Sequence, residues 1–259
     1  MILLVDVARA SLATKVGLFQ PITSTKINQL VPRKYRESDG HWFGITKRTR
    51  AIVVNPSLVN INSIKSYKDL SNPTLKGKLC LRSRKSPYTQ SLVSDYLISN
   101  GEISTRNWLN GMISNVSQPF FSGDTAIIRA VAMKKCGVGI VNHYYVERMV
   151  AGINGRRDAL YSKRVKVIIP NPTHMNISVA GIGTHSENKL QAINFLEYLV
   201  SNRGSKALSS PTFEHPINGL NTNLNVDYLG VINANEITME DIGNGNTKAL
   251  RLMIEYGWK

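Results

Sequence analysis

Two spacings of apolar residues alternate along this chain. Short runs at 2–5, 52–54, 79–81, 138–141, 165–169 and 177–180 are dense in β-branched residues or bounded by Gly, Pro or Asn, which predicts strands. Between them the spacing is helical. Leu92, Val93, Tyr96 and Leu97 form one stripe that Gly101 closes, and Trp108, Leu109 and Met112 form the next. Ile127, Ile128 and Val131 follow Asp124, which reads as an N-cap. The longest stripe is Leu190, Ile193, Phe195, Leu196 and Leu199; Leu250, Met253 and Ile254 form the last. Strands alternating with helices predict α/β layers around largely parallel sheets, with ligands held beyond the carboxyl ends of strands.

Composition adds limits. The chain has 259 residues, 42% hydrophobic and 19% charged, enough for one large domain or two smaller lobes. No apolar run approaches the roughly 20 residues of a membrane span. The opening MILLVDVARA lacks the basic start and long apolar core of a secretory signal. The net charge of +15 would suit nucleic acid, yet KRTR at 47–50, RSRK at 82–85 and GRR at 155–157 are short and scattered. The three tryptophans lie far apart, so no stacking platform for nucleic acid is indicated. Motifs for a nucleophile elbow, a zinc-protease helix or a P-loop are absent, which argues against an enzyme.

Two strand ends look alike. One reads KGKLCLRSRKSPYTQSL and the other KKCGVGIVNHYYVERM, and in both a cysteine precedes a tyrosine by 8 residues, Cys80 to Tyr88 and Cys136 to Tyr144. Parallel neighbouring strands would set the cysteines side by side and bring Tyr88, Tyr144 and Tyr145 together at helix starts. Three phenols there would suit ferric ion, a hard cation that prefers anionic oxygen. A phenol is neutral at pH 7, but a metal ion and the positive end of a helix dipole both favour the phenolate. The plainer reading of an adjacent tyrosine pair is one ring in the core and one at the surface.

At these residues the chain resembles the ferric-iron-binding periplasmic proteins of bacterial iron ABC transporters. The segments GLFQPI at 17–22, GHWFGITKRTRAIVVNP at 40–56, YKDLSNPTLKGKLCLRS at 67–83 and SGDTAIIRAVAMKKCGVGIVNHYY at 122–145 carry the resemblance. So do MNISVAGIGTHSENKLQAINFLEYL at 175–199 and EHPIN at 214–218.

The resemblance implies an α/β, two-lobed binding-protein fold with hinge strands. Residues 1–52 would be a partial N-terminal lobe and hinge, and 53–174 the C-terminal lobe. Residues 175–225 would return to the first lobe, and 226–259 would form a C-terminal helical segment. Fe3+ would be held in the cleft by Tyr88, Tyr144 and Tyr145, with Arg48 or Arg50 holding a synergistic anion such as carbonate. His143 is read as a neighbour of the pair. The implied protein is a periplasmic monomer delivering iron to an inner-membrane ABC permease, and the resemblance implies a chain shortened at its N-terminus, without the family's signal and first strand–helix–strand–helix portion. The competing readings are a binding protein for another small anion or organic cation, or a truncated non-functional copy. In an exported protein Cys80 and Cys136 would form a disulfide, with Cα atoms within about 7 Å; two buried thiols are the alternative.

Overall fold

A computed structural model describes residues 1–218 and 232–259. In chain order it contains strand β1 (Ile2–Val5), helix α1 (Val7–Lys15), strand β2 (Phe19–Gln20), helix α2 (Thr25–Leu30) and the long strand β3 (Phe43–Val54). Strand β4 (Leu79–Cys80), helices α3 (Pro87–Ser114) and α4 (Asp124–Ala132), strand β5 (Val138–Asn142) and helices α5 (His143–Val150) and α6 (Arg156–Ser162) follow. Strands β6 (Lys166–Ile168) and β7 (Met175–Gly183), helices α7 (Lys189–Val200) and α8 (Asn202–Thr212), strand β8 (His215–Pro216) and helix α9 (Met239–Glu255) complete the described strands and α-helices.

The chain divides into two compact units. One comprises Met1–Arg48, the described residues from Asn176 to 218, and Glu236–Asn246; the other comprises Thr49–Met175, 232–235 and Thr247–Lys259. Strands β3 and β7 and helix α9 each contribute residues to both units. The segment boundary expected at 225–226 lies outside the described residues.

In the first unit β7 pairs antiparallel with β1, Leu3 opposite Ala180, and with β2, Phe19 opposite Gly183. Strand β8 lies antiparallel to the start of β3, His215 opposite Lys47. The Asp6 carboxylate caps α1 by accepting from the Ala8 amide at 2.9 Å, and it also accepts from Asn176 Nδ2 at 2.9 Å. A side chain at the N-cap thus ties the start of α1 to β7.

In the second unit β5 lies between β4 and β3, and β6 flanks β3 on its other side. Among the described strands of this unit only the β4–β5 ladder is parallel, Leu79 opposite Val138; the β3–β5 and β3–β6 ladders are antiparallel. The expectation of largely parallel sheets is therefore corrected. Strand–helix alternation sets direction only where a helical crossover joins neighbouring strands. Helices α3 and α4 form such a crossover between β4 and β5, whereas β3 reaches β5 from a distant part of the sequence.

Helices cover both faces of this sheet, and the side-chain period of two sorts the strands between them. Ile52, Val54, Leu79, Leu81, Val138 and Ile140 pack with Leu92, Trp108, Leu109 and Met112 of α3 and with Trp258. Val53, Cys80 and Val141 face the other way, against Ile127 and Val131 of α4 and Met149 of α5. A Cβ on Gly139 would meet Ile127 Cγ2 at 2.4 Å, so glycine is what lets α4 approach β5. The two stripes expected on either side of Gly101 belong to one long helical stretch, broken at that residue by φ 77° and ψ 168°. Across the break Tyr96 stacks on Trp108 with ring centroids 4.0 Å apart.

Cys80 and Cys136 form a disulfide, with Cα atoms 6.0 Å apart. The bridge and the parallel pairing of β4 with β5 agree with the geometry expected from the matched spacings.

Candidate functional site

The expected site residues Tyr88, Tyr144 and Tyr145 all lie in the second unit, just past the carboxyl ends of β4 and β5. Tyr88 is the second residue of α3, after Pro87, which suits the first turn because its missing N–H would be unbonded there anyway. Tyr144 and Tyr145 are the second and third residues of α5. All three phenols therefore start at helix N-termini, where backbone N–H groups and the helix dipole favour negative charge.

The rings of Tyr144 and Tyr145 are 4.5 Å apart between centroids. Tyr144 is 8% exposed, and its hydroxyl accepts from Asn142 Nδ2 at 3.2 Å; Tyr145 is half-buried. Arg82, two residues beyond Cys80, lays its guanidinium over the Tyr88 ring with the central carbon 5.0 Å from the centroid. Burial pulls the pKa of this guanidinium down, but the nearby Asp124 carboxylate and then the Tyr145 and Tyr88 hydroxyls pull it up, and the net shift is upward. Arg82 thus faces both tyrosine-bearing helix ends.

Asp124 anchors it. The spacing of apolar residues suggested an N-cap, but Gly123 occupies that position and Asp124 is the first residue of α4. Its carboxylate is fully buried and accepts from Arg50 Nη1 at 2.7 Å, Arg82 Nη1 at 3.1 Å and the Asn142 amide at 2.8 Å. Arg50 also donates to Asn142 Oδ1 and to the Ile140 carbonyl. The two arginines weighed as anion holders are each engaged by the protein's own carboxylates. Arg50 meets Asp124 with 2% side-chain exposure. Arg48, in the first unit and 1% exposed, lies 3.3 Å from Glu214 and 3.9 Å from Asp6. The arginine that reaches the tyrosines with some exposure, 16%, is Arg82.

His143 is fully buried, and its Nδ1 accepts from the Thr49 amide at 3.3 Å, so one ring nitrogen is spent on the start of the sheet. One turn on, burial pushes the Glu147 carboxyl up to about 7. Sequence reasoning left out Arg82 and Asp124. Arg82 looked like part of a surface charge run, although its place just after a strand end was a usable signal.

Residues 3–238 match the family described as bacterial extracellular solute-binding protein. Iron uptake protein A1 of Synechocystis is 33% identical over 264 residues, covering 100% of this chain and 73% of that protein. Among solved structures, the Trichodesmium protein IdiA (FutA) in complex with iron and citrate is 32% identical with a TM-score of 0.94, covering 99% of this chain and 83% of that one. Apo FutA2 from Synechocystis is 31% identical with a TM-score of 0.94, covering 98% and 83%.

Proposed function

The chain belongs to the bacterial extracellular solute-binding protein family, and from that premise we propose that it captures ferric ion outside the cytoplasm through the phenolates of Tyr88, Tyr144 and Tyr145. It would hand the ion to an ABC permease in the membrane. The observation that carries this reading is the shared position of Arg82, over the Tyr88 ring and near the Tyr145 hydroxyl.

The chemistry is consistent at each step. Ferric ion takes anionic oxygen, and three phenolates supply it. Each phenol must lose a proton that it ordinarily keeps until pH 10, and the ion itself drives that loss. Helix N-termini and a guanidinium lower the cost of the resulting negative charge. Carbonate beside the ion is assigned to Arg82, whose paired donors match a planar anion. Arg50 supports Arg82 from behind through their common partner Asp124. The relatives named above include an iron uptake protein and an iron-bound structure, which favours iron over another cargo.

The test is a ferric titration followed by the visible phenolate-to-iron charge-transfer band. Tyr144→Phe and Tyr145→Phe keep the ring and remove the ionisable oxygen, so each should weaken binding strongly and shift or bleach the band. Wild-type colour and affinity in both variants would refute tyrosine ligation.

A further inference from the structure

The α5–α6 hairpin carries a feature that iron capture does not use. Between Arg148 and Lys166 the sequence has six Lys or Arg residues and one acidic residue, Asp158. That acid is buried and committed to Arg129, whose Nε and Nη2 donate to its two oxygens at 2.8 and 2.7 Å. Arg156, Arg157, Lys163, Arg164 and Lys166 are all exposed.

Apolar side chains are exposed among them: Val150 at 57%, Ile153 at 53% and Leu160 at 50%. On α6 and its end, Arg156 and Arg157 precede Leu160 by four and three residues, and Lys163 and Arg164 follow it by three and four. These spacings put Leu160 at the centre of a ring of four cations on one helical face. The opposite face, Asp158, Tyr161 and Ser162, is buried. The guanidiniums of Arg157 and Arg164 lie 5.5 and 5.6 Å from the Tyr161 ring centroid, and Arg157 Nε donates to the Tyr161 hydroxyl at 3.0 Å. Arg157 and Arg164 are therefore held in place rather than free to swing. Ile153 projects from the turn between the helices, with Gly152 and Gly155 at positive φ on either side.

We propose that this hairpin is a docking surface for an anionic phospholipid bilayer. Anionic headgroups attract Lys and Arg near the membrane surface, and exposed apolar side chains at the same face enter the boundary with the acyl chains. Nucleic acid would use the cations but gain nothing from Val150, Ile153 and Leu160. A second copy of the chain would be repelled by like charge. The hairpin would attach at the surface, through its cations and three apolar side chains; among the described residues no helix is long and apolar enough to cross a membrane. The same helix carries Tyr144 and Tyr145 at one end and Val150 at the other, about 9 Å away by helical rise. The proposal does not depend on iron ligation.

Cosedimentation with vesicles tests it, using the full chain with and without ferric ion. Vesicles of phosphatidylcholine with phosphatidylglycerol should bind the protein, and phosphatidylcholine alone should not; raising salt should release it. Each cation neutralised in Arg156→Gln, Arg157→Gln and Arg164→Gln should weaken binding about fivefold. Removing three exposed cations elsewhere in the same unit, by Lys76→Gln, Lys134→Gln and Lys135→Gln, should change it little. Ile153→Trp should give blue-shifted emission on the anionic vesicles, and circular dichroism should show all variants folded. Equal binding to both vesicle types, equal losses in the two triple variants, an unshifted tryptophan, or binding only to RNA or to an acidic protein would each overturn the proposal.

Discussion

Asp124 Oδ1 lies 3.1 Å from Arg82 Nη1, so a wholly buried carboxylate fixes the guanidinium that stands over the Tyr88 ring. The other oxygen holds Arg50 at 2.7 Å. Removing this charge strands two cations at once. Asp124→Asn should destabilise the protein by about 3–5 kcal/mol, the usual cost of breaking a buried ion pair from one side. Urea denaturation followed by circular dichroism measures this; a loss under 1 kcal/mol would show that the ion pairs contribute little.

Arg82→Gln separates the site from the scaffold. Arg82 is partly exposed, and Arg50 would still neutralise Asp124. Ferric affinity should fall about tenfold, the equivalent of one pKa unit across the phenols, and its response to added carbonate should disappear. Unchanged affinity with unchanged carbonate dependence would remove Arg82 from the site.

The disulfide couples stability to ligand geometry. It joins residues 56 apart in sequence and ties Cys80 of β4 to Cys136, two residues before β5. Cys80→Ser with Cys136→Ser should cost about 4 kcal/mol in the chain-entropy account of cross-linking. Ferric affinity should drop as well, because Tyr88 and Tyr144 each sit 8 residues beyond a bridged cysteine. A double variant that melts as the wild type does and binds iron as tightly would show the bridge to be dispensable.

Much of this region was legible because its signals are local. Equal Cys-to-Tyr spacings pointed to neighbouring parallel strands, and β4 and β5 are such strands. Short β-branched runs found six of the eight described strands, missing β2 and β8, and gave 52–54 for a strand that covers Phe43–Val54. Its first half mixes Thr, Lys and Arg with apolar residues, and Arg48 is buried there against Glu214, Asp6 and Ser178, which are far away in sequence. The same reason hid Asp124: an acid at a helix start reads as a cap, and nothing nearby reveals that Arg50, 74 residues earlier, donates to it. Sheet direction was misread because helix crossovers say nothing about strands that meet without one.

A pH effect is expected from the first unit. Burial, reinforced by Lys47, lowers the His215 pKa to about 4 from its ordinary 6.5. The unfolded chain takes up this proton near pH 6.5 and the folded chain only near pH 4. His215 therefore contributes its full stability above about pH 6.5, and that contribution is lost as pH falls toward 4. Its size is about 3 kcal/mol by linkage. Stability of wild type minus His215→Gln, measured from pH 7 to 4, should decline with falling pH; a flat difference would mean that His215 is not held neutral.

The carboxylate shared by Arg50 and Arg82 also limits how this sequence can drift. Losing the acid leaves two unmatched guanidiniums, while losing Arg50 leaves the acid with Arg82 as its remaining cation, the more exposed of the two. Arg82 can change alone while Arg50 still neutralises the acid, but replacing the acid calls for compensating changes at the arginines. Positions 50, 82 and 124 are therefore coupled electrostatically across 74 residues of chain.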